Sequence, residues 1–265
     1  MTSRSPAPTS ITRLGAVAPS AGLLAVLVLA WEATVRALDV PAYFVPAPSQ
    51  VVRAGLEVSG TLPGHLATTL TEALAGLALA AVAGVALAAL MASVPALRRA
   101  FYPLLVISQN VPMVVIAPLI VIWFGFGLMP KVLVVLVVGF FPIAVNTTEG
   151  LLAADAGMID LVRSMGGGRW AELRLVRLPS ALPAFFSGLK ISATYAVLGA
   201  VIGEWVGASS GLGLFITRAQ ASFRTDRVFV AVVVIAAVSI ALFVAAEGLA
   251  RLVLPWRYVR MEDQS

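Results

Sequence analysis

DLVRSMGGGRWAELRLVRLP, Asp160–Pro179, is the one strongly polar, arginine-bearing stretch in an otherwise hydrophobic chain. It reads as an acidic residue, a short amphipathic helix, a run of glycines, a second short helix and a V-x-L-P stop. Apolar runs flank it on both sides, each long enough to cross a bilayer. Its four arginines cannot lie in lipid, so the stretch faces water. Ile159, Val162 and Met165 recur at helical spacing and form an apolar ridge, while Asp155, Asp160 and Arg163 stay polar. An apolar ridge on a water-facing loop calls for a groove on a partner. Gly166 ends this first helix, Trp170–Leu178 forms the second, and Pro179 halts it before the next apolar run.

The composition around this loop agrees. Of 265 residues, 60% are hydrophobic and 12% charged, and the mean hydropathy is +0.99. A soluble domain of this size needs far more charge to cover its surface, so the class is an all-α polytopic membrane protein embedded in the lipid bilayer. With no cysteine there is no disulfide, thiol chemistry or cysteine metal site, and the single histidine, His65, argues against a histidine centre. No metal site, cofactor or catalytic nucleophile–base–acid arrangement is legible. Gly166–Gly168 is a helix break, because no lysine follows where a phosphate loop requires it. The net charge of +5 fits basic cytoplasmic loops and not nucleic-acid binding.

Six spans are predicted: Leu14–Leu38, Leu66–Val94, Ala100–Phe124, Lys131–Glu149, Leu182–Val206 and Val228–Leu254. Arg4 and Arg13 before the first apolar run resemble a signal peptide, but the spans that follow favour an uncleaved first helix. Arg4, Arg13, Arg98, Arg99, Arg163, Arg169, Arg174, Arg177, Arg251, Arg257 and Arg260 fall on one side, against Arg53, Lys131, Arg218, Arg224 and Arg227 on the other. The positive-inside rule makes the first side cytoplasmic and puts both termini there. The organisation is then a tail at 1–13, a transmembrane domain at 14–254 whose cytoplasmic loop is 150–181, and a tail at 255–265. On the outer side, Pro41–His65 holds turns around a short helix, and Gly207–Arg227 holds glycines before an amphipathic piece lying at the interface.

Charges inside spans are candidates for function. Glu32 with Arg36 and Glu247 with Arg251 read as local ion pairs four residues apart, and Lys190 reads as snorkelling to the headgroups. Glu204 borders the glycine-rich outer loop. Glu72 tops a face of small residues, Gly76, Ala80, Gly84 and Ala88, that suits close helix packing. The third span carries Pro103, Pro112 and Pro118, with Gln109 and Asn110 just before the middle one. Proline frees backbone carbonyls, here around Ser108, and at membrane depth these line a cavity. Gln109 and Asn110 are therefore candidates for the solute pathway. Asn146 and Thr147 in the fourth span, and Ser192 and Thr194 in the fifth, are of the same kind.

The polar loop resembles that of ABC-importer inner-membrane permeases, whose pattern is E-A-A, three residues, G, nine residues, I-x-L-P. Here Asp160-Leu161-Val162 stands at E-A-A, Gly166 at the glycine and Val176-Arg177-Leu178-Pro179 at the end, so the spacing matches in full. Leu161 and Val162 replace two alanines, which makes the helix bulkier. VPAPSQVV, APLIVIWFGFGLMPKVLVV, FFPIAVNTTEGL and GEWVGASSGLG are similar to the branch importing nitrate, sulfonates, taurine and thiamine-related pyrimidines. WFGFGLMPKVL and FFPIAVNT look most like members serving thiamine pyrimidines or riboflavin-like rings. The resemblance implies a type I importer permease fold in the plasma (inner) membrane and a second permease copy, a homodimer. It implies an ABC ATP-binding subunit gripped through Ile159, Asp160, Val162, Arg163, Met165, Gly166 and Pro179, and an extracytoplasmic solute-binding protein. A channel or an integral-membrane enzyme is the contrasting class. The first would lack the gripping loop, and the second would need a cluster of reactive groups at one depth.

Overall fold

A computed structural model describes residues 10–256, and these form helices and no strands. The N-terminal tail with Arg4, and Arg257 and Arg260 near the C-terminus, lie outside the described residues. The chain divides into two compact units: the chain before Thr61 with Ala219–Val230, and Thr61–Arg218 with the chain from Ala231 on.

In the first unit α1 spans Ser10–Ala37, so helix begins inside the expected tail, and α2 spans Pro48–Glu57. Glu32 and Arg36 do pair, at 2.5 Å. The carboxylate does more than pair, because it also accepts the backbone N–H and the hydroxyl of Ser49, at 2.9 and 2.8 Å. An anion there satisfies donors that the first turn of α2 leaves open. In the same unit Arg224 joins Glu57 and Asp226 at 2.9 and 2.8 Å.

The second unit is built on α3 (Leu62–Ser93), α6 (Leu128–Leu152) and α9 (Leu178–Glu204). The small-residue face of α3 is buried, Glu72 included. A β-carbon at Gly76 would overlap Val135 of α6, and one at Gly84 would press on Ile143. On the other side of α6, a β-carbon at Gly188 of α9 would strike the Pro142 carbonyl. Lipid tails are as apolar as leucine, so this close van der Waals fit, not exclusion of water, holds the three helices. Ser192 adds a hydroxyl bond from α9 to the Gly139 carbonyl of α6, at 2.6 Å. The long α11, Thr225–Val253, brings Leu242 and Ile235 against the buried Val135–Val197 cluster.

Three expectations are corrected here. The third span is two helices, α4 (Pro95–Ser108) and α5 (Met113–Phe124), meeting at 106°. Among the described residues there are therefore five helices long and apolar enough to cross a membrane, or six when the bent pair counts as one span. Pro112 caps α5 in an extended conformation, which ends the helical ladder instead of kinking it. Pro179 does not stop a helix. A short α8 (Arg169–Glu172) runs through a π-helical turn (Leu173–Arg177) into α9, and the Leu178 N–H reaches back five residues to Leu173. The wider turn absorbs the donor that Pro179 lacks. Finally α10, Leu212–Ala221, buries Leu212, Phe215 and Ile216 in the protein, not in headgroups.

Candidate functional site

The polar loop folds as α7, Ala156–Ser164, then α8. Asp155 caps α7 by accepting the Met158 N–H at 2.8 Å. Its C-terminus closes with two reversed bonds, Gly166 N–H to Arg163 and Gly167 N–H to Val162, with Gly166 at φ +82°. This double-bonded stop needs a left-handed residue, which glycine adopts without a Cβ penalty. Arg163 grips Glu172 through both Nε and Nη2, at 2.7 and 3.2 Å, and so clamps α7 to α8. The Glu172 hydrogen bond and charge push the Arg163 guanidinium above its already high range, so its half of the clamp keeps its charge across physiological pH. Arg177 extends the connection to the Leu151 carbonyl of α6, at 3.5 Å.

The apolar ridge divides. Ile159 turns inward at 8% exposure and Val162 is half-buried, whereas Met165 is 79% exposed. Met158 and Leu161 join Met165 on the outer face, with Trp170 beyond them. Exposed apolar side chains among arginines mark an interaction surface. Glu172 was not singled out from sequence, because an ion pair nine residues apart follows no helical spacing.

A cavity of about 380 Å³ opens where α4 meets α5. Ser108, Gln109 and Met113 line it from the bend, Phe141 from α6 and Tyr195 from α9. Among the described residues no charged side chain lines it. Of the sequence candidates, Gln109 is there. Asn110 instead spends its amide on the carbonyls of Val106 and Ile107, both at 3.3 Å. The Ser108 carbonyl is not free, because Val111 N–H occupies it at 3.1 Å. Asn146 donates to Pro142 at 2.8 Å and Thr194 to Lys190 at 3.0 Å, one turn back in each helix, and neither lines the cavity.

Buried charges gather at the opposite end of this unit from α7. Lys131, expected to open the fourth span on the outer side, lies in the first turns of α6 and pairs with Glu72 at 2.9 Å, both nearly sealed. Glu204 accepts the Thr69 hydroxyl and the Gly213 N–H, and His65 Nδ1 accepts the Gly211 N–H at 3.0 Å. These bonds fasten the glycine-rich turn after α9 onto α3. Lys190 is likewise no snorkelling residue, because it pairs with Glu247 of α11 at 2.8 Å, and Glu247 also meets Arg251 at 3.2 Å.

Residues 67–257 match the family described as binding-protein-dependent transport system inner membrane component. The chain belongs to that family. This inner-membrane component is 38% identical over 232 residues to the formylaminopyrimidine transport permease protein ThiX of Halalkalibacterium halodurans, covering 87% of this chain and 92% of that one. It is 40% identical over 243 residues to the riboflavin transport system permease protein RibX of Chloroflexus aurantiacus, covering 90% and 91%. Its fold is similar to that of a chain of the MetNI methionine ABC transporter, solved in inward-facing conformations, at a TM-score of 0.57 and 22% identity over 79% of this chain and 98% of that one. The protein is the membrane-spanning permease of an ABC importer.

Proposed function

We propose that this permease imports a thiamine-related pyrimidine or a riboflavin-like ring, driven by a separate ATP-binding subunit that grips α7. Relatives named for formylaminopyrimidine and riboflavin transport support the solute class. The observation that carries the coupling role is the exposed Met158–Leu161–Met165 face on a helix clamped to α8 through Arg163 and Glu172. Flexible methionines suit a groove that changes shape through an ATP cycle. The clamp and the continuous α8–α9 rod then pass a pull on α7 into the core. Asp160 and Arg163 supply the polar edge of the docked helix.

An extracytoplasmic binding protein delivers the solute, a second copy of the chain closes the pathway, and both termini are cytoplasmic. Arg98 and Arg99 lie beside Glu149 and Leu152 at the α7 end of α6, and Lys131 at its other end is neutralised in a buried pair, which supports the positive-inside reading. The test is co-purification of this chain with its ATP-binding subunit and binding protein, then uptake of labelled formylaminopyrimidine into vesicles loaded with ATP. Met165→Asp combined with Leu161→Asp should abolish association and uptake while the chain still reaches the membrane. Retained association in that variant refutes the coupling role of α7.

A further inference from the structure

We infer that the cavity at the α4–α5 bend is a transient binding site for the solute within the membrane, and that it selects a flat, uncharged heteroaromatic ring over an organic anion. The inference rests on the importer reading and goes beyond it by assigning the site and its selectivity. Two aromatic side chains, Phe141 and Tyr195, line the cavity from different helices, and rings stack on such faces at low conformational cost. Gln109 offers an amide, which can donate and accept at once, as the edge of an aminopyrimidine requires. Neither Gln109 nor the Tyr195 hydroxyl has a hydrogen-bond partner among the described residues, so both are available, unlike Asn110, Asn146 and Thr194. The volume of about 380 Å³ holds one small ring system and few waters.

The absence of charge in the lining sets the selectivity. A sulfonate or nitrate entering this site would shed water and meet no arginine or lysine. Desolvating an anion without a counter-charge is far costlier than desolvating a neutral ring. A ring whose amino groups find Gln109 loses little. A site that must also release its cargo gains from such weak, neutral contacts.

The experiment uses the permease–ATPase complex with its binding protein in liposomes, and measures uptake of formylaminopyrimidine, riboflavin and taurine. It also measures direct binding of each probe to the complex without binding protein. The inference expects ring uptake but no taurine uptake. It expects Gln109→Leu and Tyr195→Leu each to weaken direct ring binding about tenfold or more, an effect of the size one lost hydrogen bond or stacking contact produces. Tyr195→Phe, which keeps the ring face and loses only the hydroxyl, should bind rings at a strength between the parent and Tyr195→Leu while all three variants melt as the parent does, whereas a purely structural role for the tyrosine would lower the melting temperature of Tyr195→Leu. Taurine uptake without ring uptake, or Gln109→Leu and Tyr195→Leu variants that bind rings as the parent does, overturns the inference and leaves the importer standing. A complex that imports none of the probes and fails to assemble with its ATPase overturns the importer reading itself.

Discussion

At the scale of single residues, Gly166 and Lys131 show how one side chain can be fixed by backbone and by charge. Gly166 sits at φ +82° in the stop of α7, and any β-carbon there costs about 1–2 kcal/mol. The cost falls on the loop and not on the spans. Gly166→Val should therefore leave the chain in the membrane with its normal melting temperature but cut ATPase association several-fold. Pull-down of the ATP-binding subunit checks this, and undiminished pull-down with undiminished uptake sinks it. Lys131 makes the opposite case. Among the described residues its ammonium is the only cation bonded to the buried Glu72 carboxylate, whose second oxygen has no hydrogen-bond partner. Removing one partner of a buried pair costs roughly 3–5 kcal/mol, whereas replacing both with apolar groups costs far less. Lys131→Met should lower thermal stability in detergent sharply, and the double variant Lys131→Met/Glu72→Leu should recover most of it. Equal melting of the single variant and the parent would show that the pair contributes nothing.

At the scale of elements, what the sequence revealed and what it hid divide by range of interaction. The small-residue face of α3 was legible because its spacing is local, and it is buried against α6 as that spacing requires. The stop at Gly166 was legible for the same reason. The 106° bend was not, because three prolines announce a break but its angle is set by the packing of Ala117 and Ile120 of α5 on Val134 of α6. The hydrogen bonds of Asn110, Asn146 and Thr194 were not legible either, because each of these polar side chains within a span satisfies a carbonyl of its own helix. Pro179 carried a second hidden consequence, the π-helical turn. Pro179→Ala would restore the missing N–H and let Leu173–Arg177 tighten toward an α-helix, which rotates α8 and the Arg163–Glu172 clamp relative to α9. Association with the ATPase should survive, because the outer face of α7 is untouched. Solute imported per ATP hydrolysed should fall several-fold. A transport ratio equal to the parent's would show that the wide turn transmits nothing.

At the scale of the whole molecule, an exposed stripe on α9 motivates a prediction about pairing. Ile191, Tyr195 and Leu198 of α9 are 44%, 49% and 45% exposed and recur at helical spacing, beside a cavity carrying the unpartnered amide of Gln109. A stripe of aliphatic residues alone would suit lipid. A phenol and an amide facing hydrocarbon would not, since each would lose its water without a new hydrogen bond. We predict that the stripe lies against a partner or a wet pathway, since one set of five or six spans with no internal repeat supplies neither from within. A twofold pair of identical chains supplies both, because a residue near the axis then faces its own copy. The chain contains no cysteine, so single-cysteine variants report without background. Ile191→Cys, Thr194→Cys and Leu198→Cys, each purified with its ATPase and treated with a mild oxidant, should include at least one that forms a covalent permease dimer, since a disulfide needs Cα atoms within about 7 Å. A heterologous partner predicts instead that none cross-links with itself. If all three stay monomeric while the assembled complex contains a single copy of this chain and no other permease, the pathway closes within one subunit and the twofold arrangement is wrong.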